Sequence, residues 1–148
     1  MPTAAKLFAA IAFALVAAVA AHFYALDLPE GRSAGLLREV SALVGAACGW
    51  VIMGRAAHRS RSRVDAMGTG IRTSLTIVVV VMVIFAIVDV LGRAMKGRYK
   101  TPLDAILGVF EQAMVLAPPL AQPDTLGVLL LGGLIGGAVA HWAGQRWN

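Results

Sequence analysis

Four long apolar segments constrain this chain more than any other feature of its sequence. A helix rises about 1.5 Å per residue, so about 20 mostly apolar residues are needed to cross the roughly 30 Å hydrocarbon layer of a bilayer. Candidate spans lie at 7–26, 36–53, 71–91 and 125–142. Because no water reaches that layer, each segment has to pair its own backbone polar groups. The four segments are therefore predicted to be transmembrane helices, and the fold class all-α.

The small number of charged residues excludes a water-soluble globular domain. Only 14% of the residues are charged and 59% are hydrophobic, whereas soluble domains devote about a quarter of their residues to charged types. Cys48 is the single cysteine, so a disulfide framework is excluded as well. The composition indicates one polytopic membrane domain over 1–148, with the lipid bilayer as its first partner.

A fifth segment, between the third and fourth spans, has the pattern of an amphipathic helix. Thr101 and Asp104 fit a capping box, and Pro102 suits the first helical position. One face collects the apolar residues Leu103, Ile106, Leu107, Phe110 and Met114. The segment is short and acidic for a span, and Pro118 and Pro119 are expected to end it. We predict a helix over 102–118 that lies in the membrane interface or packs against the bundle.

The distribution of charged residues predicts the orientation of the chain in the membrane. The lysines and arginines are divided almost equally between the two sides of a four-span topology, but the connector at 55–63 is dense in arginine. Five acidic residues, Asp27, Glu30, Asp104, Glu111 and Asp124, would all lie on the opposite side. The positive-inside rule then predicts that both termini are cytoplasmic. The first apolar segment is expected to stay as a span, because it is long for a signal peptide and few cations precede it.

Glycine pairs spaced four residues apart are the most specific packing signal. Two overlapping G-x-x-x-G pairs lie in the fourth span and one lies in the second, and they comprise Gly132, Gly133, Gly136, Gly137, Gly45 and Gly49. Small residues permit the close backbone approach on which helix association in lipid depends. These faces are predicted to pack the four helices together. A docking face for another subunit, including a second copy of the chain, is the alternative.

Two groups of charged residues are candidate sites. Asp89 lies near the end of the third span, four residues before Arg93, so the two are predicted to form an ion pair on one helix face. The pair is interpreted as a structural anchor, with a proton or cation site as the alternative. A second group, Arg55, Arg59, Arg61 and Arg63, is predicted to contact lipid headgroups, or else an oxyanion. No interleaved aromatic residues favour nucleic acid as the partner.

No pattern in the sequence predicts catalysis or a bound cofactor. His22 and His141 fall at opposite membrane boundaries and cannot share a metal or a haem iron. His58, in the arginine-rich connector, could approach His141, but no carboxylate pattern that would support a metal site accompanies them. Cys48 has no second cysteine with which to form a redox pair, and no nucleotide-binding or hydrolase motif is present. We therefore expect a protein that is not an enzyme and holds no cofactor and no metal.

Several blocks of the sequence point to a family. They include MPTAAKL at 1–7, LPEG at 28–31, RAMKGRYKTPLDA at 93–105, FE at 110–111 and HWAGQRW at 141–147. The chain resembles, essentially end to end, the TrgA family of tellurite-resistance-associated membrane proteins of alphaproteobacteria. The resemblance implies a multi-pass protein of the bacterial inner membrane that contributes to tellurite tolerance. It implies no catalytic residue.

Taken with the residues, the resemblance leads to two functional hypotheses. The first is a non-catalytic accessory or scaffold subunit that docks on a larger respiratory, photosynthetic or transport complex. The second is an oligomeric transporter or channel component for an oxyanion or a proton. A pore needs polar residues in register on several helices, and Asp89 is the one acid set within a span. The accessory hypothesis is therefore favoured.

Overall fold

A computed structural model of the chain describes residues 4–27, 35–56, 62–97 and 101–146. Within these residues the chain is helical, as the apolar segments predicted. Five helices in the described ranges are long and apolar enough to cross a membrane. They are α1 (Ala4–Leu26), α2 (Leu37–Ala56), α3 (Arg63–Met95), α4 (Pro102–Leu120) and α5 (Pro123–Arg146).

Four of these helices form an antiparallel bundle. Helix α1 packs between α2 and α5, and α3 closes the ring by packing against the same two helices. Helix α4 lies outside the ring and packs mainly on α3. One end of the bundle, here called the basic end, carries Lys6, Arg55, Arg63 and Arg146. The other end, called the cavity end, is where α1 finishes, α2 starts, α3 finishes and α5 starts.

Capping explains why α3 is longer than the apolar segment inside it. The Ser62 side chain accepts a hydrogen bond from the Asp65 backbone N–H at 3.2 Å, and this cap starts the helix at Arg63 instead of at residue 71. The helix contains 33 residues, which is about 50 Å at the usual rise. That length exceeds the hydrocarbon layer, so part of α3 extends beyond it.

Helix α4 starts as its sequence predicts and ends slightly later. The Thr101 hydroxyl accepts from the Asp104 N–H, and the Asp104 carboxylate accepts from the Thr101 N–H, each at 3.2 Å. The helix continues through Pro118 and Pro119 to Leu120, whereas the sequence predicts its end at 118. Proline has a helical φ, but its missing N–H and the clash of its ring with the carbonyl four residues earlier weaken a helix. Here that cost is confined to the last turn, which is held by the packing of Leu116 and Leu120 against Ala21, Tyr24 and Leu37.

A π-helical turn lengthens the glycine face of α2. Gly45, Gly49 and Gly54 all face α1, although their spacings are four and then five residues. The extra residue is accommodated in a π turn over Gly49–Met53, after which α2 continues to Ala56, beyond the predicted limit at 53. The turn therefore keeps a third glycine on the helix face that contacts α1.

Small side chains fill the bundle and large apolar side chains cover it. Alanine dominates the buried core, and of the larger hydrophobic residues that the structure describes only Phe13 and Met53 have no exposed surface. Leucine, valine and isoleucine are exposed along every helix; examples are Leu15, Leu43, Val79, Ile106 and Ile135. A lipid environment favours this arrangement. Large apolar side chains gain nothing by leaving the lipid for the protein interior, and close packing of the helices requires small side chains between them. The protein is built as a membrane-embedded helical bundle.

Candidate functional site: the cavity end of the bundle

The glycine pairs of α5 are divided between two neighbouring helices. Gly133 and Gly137 face α3, where a Cβ added at Gly137 would collide with the Ala66 carbonyl oxygen. Gly132 lies against the side chain of Val16, and a Cβ at Gly136 would lie 3.2 Å from the Phe13 ring. Helix α5 is thus wedged between α1 and α3 by two adjacent small faces.

The matching face of α3 is a small-residue stripe that was not predicted from the sequence. Ala66, Gly70 and Ser74 recur every four residues and are all buried. A Cβ at Gly70 would collide with the Gly133 carbonyl oxygen, and one at Gly133 would lie 2.8 Å from the Ser74 hydroxyl oxygen. The four-residue spacing of alanine, glycine and serine is the signal in the sequence that marks this stripe.

In α2, the predicted glycines approach the backbone of α1. A Cβ at Gly49 would lie 2.6 Å from the Ala9 carbonyl oxygen, and one at Gly45 would collide with the carbonyl oxygen of Phe13. The predicted packing glycines of α2 and α5 therefore all meet neighbouring helices of the same chain. If another subunit docked on these glycines, the contacts within the chain would first have to open.

Asp89 and Arg93 lie together and connect α3 to α4. Their charged groups are 3.6 Å apart, and the side chains are about half and one-third exposed. Arg93 also donates a hydrogen bond of 2.7 Å to Oε1 of Gln112, which is buried in α4. The partner on α4 was not predicted, because nothing in the sequence relates residues 93 and 112. The arrangement lets one guanidinium neutralise Asp89 and attach α4.

Tyr24 provides a second attachment of α4 to the bundle. Its hydroxyl donates a hydrogen bond of 3.1 Å to the Leu116 carbonyl oxygen. Leu116 and Leu120 also pack against a small apolar cluster formed by Ala21, Tyr24 and Leu37. The last two turns of α4 are thus fixed to α1 and α2 as well as to α3.

These attachments border a cavity of about 360 Å³. Its wall is mostly apolar and is formed by all five helices, with Ala21, Ile77, Phe85 and Leu129 among the lining residues. Four polar or charged residues also line it: Tyr24, Ser41, Asp89 and Thr125. Thr125 is 1% exposed, and its hydroxyl has no hydrogen-bond partner among the described residues. Oxygen atoms in an apolar enclosure can orient a ligand by hydrogen bonds.

The predicted headgroup contacts lie at the other end of the bundle. Arg55 and Arg63 are exposed there, whereas Arg59 and Arg61 lie outside the described residues. Nearby, the Arg146 guanidinium is stacked over the Trp142 ring, 5.4 Å from its centre. Arginine beside an interfacial tryptophan is the arrangement expected where a helix leaves the hydrocarbon layer.

The histidines and Cys48 remain separate in the described part of the chain. His141 is buried, and its Nε2 atom lies 3.1 Å from Nε2 of Gln145; His22 is exposed at the cavity end. His58 lies outside the described residues. In the ranges that the structure describes, no three histidine, cysteine or acidic side chains are grouped so as to hold a metal ion.

No family model, no curated protein and no solved structure matches this chain.

Proposed function

We propose that the chain is a non-catalytic accessory or scaffold subunit of the bacterial inner membrane. It docks on a larger respiratory, photosynthetic or transport complex and contributes to tellurite resistance. Its membership of the TrgA family and the link to tellurite rest on the sequence blocks at 93–105 and 141–147. In this proposal four helices cross the membrane, α4 does not, and both termini are cytoplasmic.

The course of the chain around α4 supports four crossings. Helix α3 finishes at Met95, at the cavity end, and α5 starts at Pro123 at the same end because the two helices are antiparallel. Helix α4 therefore leaves and returns to one end of the bundle. A helix that crossed the whole bilayer would deliver the chain to the opposite end, where α5 would have to begin.

The closed basic half of the bundle is the observation that carries the accessory role. Phe13 and Met53 have no exposed surface, and α3 and α5 meet backbone to backbone at Gly70 and Gly133. The cavity lies between this packing and the cavity end. A transport pathway would have to continue through polar groups to the other side, and the described residues of one chain provide no such continuation. A static docking role needs none.

Helix α4 offers the docking surface. It is the least buried of the five candidate spans and is held along one flank by Gly108 and Gln112. Its predicted apolar face is turned away from the bundle, with all five residues more than half exposed: Leu103, Ile106, Leu107, Phe110 and Met114. A partner helix placed on this face would meet large side chains at helical spacing.

Paired truncations distinguish docking from simple lipid contact. We expect the double variant Phe110→Ala, Met114→Ala to lower tellurite tolerance and to release the chain from its complex. A partner helix would lose contacts with the two removed side chains, whereas fluid lipid would fill the space that they leave. Val79→Ala with Val83→Ala is the matched control, since both valines are exposed on α3 at the same spacing. Tolerance is measured by growth on tellurite of cells that express the variant and lack the native copy of the gene. The complex is measured by native electrophoresis at equal protein levels.

Two results would contradict the proposal. One is full tolerance and an unchanged complex in the α4 pair, which would assign its apolar face to lipid alone. The other is uptake of tellurite by vesicles containing only the purified chain, which would favour the transporter hypothesis instead.

A further inference from the structure

The cavity has the size and surface of a ligand site. Its volume of about 360 Å³ falls in the range of small-molecule pockets and is more than twice that of an engineered cavity of about 150 Å³ that binds benzene. Apolar side chains from all five helices form most of its wall. The volume suits a hydrocarbon chain or a small ring system.

Thr125 shows where a ligand would be oriented. Its side chain lines the cavity and is 1% exposed, and its hydroxyl has no hydrogen-bond partner among the described residues. Leaving a buried hydroxyl unpaired costs free energy, which valine of the same shape would avoid. The Oγ1 atom itself has almost no accessible surface, so a ligand oxygen in the cavity would complete this hydrogen bond once the Thr125 side chain rotates toward it.

The charges at the cavity wall favour a neutral ligand. Asp89 lines the cavity, and its carboxylate is 3.6 Å from the Arg93 guanidinium. The pair leaves no net charge to attract an ion. A threonine hydroxyl both donates and accepts hydrogen bonds. Of the oxygen-bearing residues in the wall, Thr125 is the one whose buried hydroxyl lacks a partner among the described residues, so a neutral hydroxyl head pairs there.

We propose that this cavity binds a neutral single-chain amphiphile from the bilayer, a hydrocarbon body with a hydroxyl head, and that the Thr125 hydroxyl orients the head. The bilayer is the source of the ligand. The docking role of α4 does not depend on this site, and the site does not depend on that role.

Photolabelling tests the proposal with two probes that differ in one group. The purified chain is placed in phosphatidylcholine vesicles and labelled with decanol carrying a diazirine, or with decane carrying the same diazirine, and the labelled residues are mapped by mass spectrometry. We expect decanol to label residues of the cavity wall at a lower concentration than decane does. Thr125→Val should raise the half-saturating concentration of decanol about three- to tenfold, which is the effect of one hydrogen bond, and leave that of decane unchanged.

A size change in the wall provides the control pair. Ala21→Leu fills part of the cavity and should abolish labelling there by both probes. Ala47→Leu adds the same atoms at an exposed position of α2 and should change nothing. Equal labelling by decanol and decane, an unchanged decanol concentration in Thr125→Val, or labels confined to lipid-facing residues would each overturn the proposal. The isosteric Thr125→Val variant still tests whether the Thr125 hydroxyl orients the ligand, even if Ala21→Leu fails to fold.

Discussion

Gly70→Ala is expected to lower the free energy of unfolding by about 2 kcal/mol, within the range of about 1–3 kcal/mol typical of overpacking. The added methyl group would collide with the Gly133 carbonyl oxygen. A backbone atom cannot rotate away as a side chain can, so α3 and α5 have to separate along the crossing. The loss is measured on protein in mild detergent micelles, which is titrated with SDS while the helical circular dichroism signal is monitored.

Gly68 supplies a control only two residues away. A Cβ at Gly68 would have nothing within 4 Å, and alanine favours a helix over glycine by up to about 1 kcal/mol. Gly68→Ala should therefore be neutral or slightly stabilising, as should Gly127→Ala on α5, where the space is also open. Similar losses in Gly70→Ala and Gly68→Ala would show that the α3–α5 crossing is not the close contact described here.

Phe13→Ala is expected to destabilise the bundle by about 3–5 kcal/mol, the usual cost of truncating a buried aromatic side chain. The residue has no exposed surface and serves two helix contacts at once. Its ring lies against Gly136 of α5, and its Cβ and carbonyl oxygen face the glycines of α2. Small residues on both neighbours leave no side chain that can fill the space.

The matched variant is Phe110→Ala on α4, where the side chain is 66% exposed. Exposed substitutions usually change stability by no more than about 0.5 kcal/mol. The same SDS titration compares the two variants. A loss in Phe110→Ala as large as that in Phe13→Ala would contradict the assignment of Phe13 to the core.

Local features of the fold could be read from the sequence because they depend on neighbouring residues. Apolar length predicted the helices, and the capping box at Thr101 and Asp104 fixed the start of α4. The limits of α3 were less accessible, since hydrophobicity marks the part that suits lipid whereas Ser62 marks the start of the helix. The π turn in α2 depends on packing against α1 and has no clear local signature.

The candidate site was less predictable because it depends on residues far apart in the chain. The spacing of Asp89 and Arg93 indicated a pair, but not that Gln112 would join it. Nothing in the sequence marks Thr125, a hydroxyl near the start of an apolar helix, as a site residue. Only the arrangement of five helices places it in the cavity wall, buried and unpaired among the described residues.

The sidedness of Lys96 and Gln122 tests the central claim, that four helices cross the bilayer and α4 does not. In a Cys48→Ala background, single cysteines replace Lys96, Gln122, Arg55 or Arg146, and intact cells are treated with a membrane-impermeant maleimide. Four crossings predict that cysteines at 96 and 122 react alike, and that those at 55 and 146 react alike but differ from the first two. Opposite reactivity at 96 and 122, with 146 on the same side as 96, would contradict the account and make α4 a fifth span.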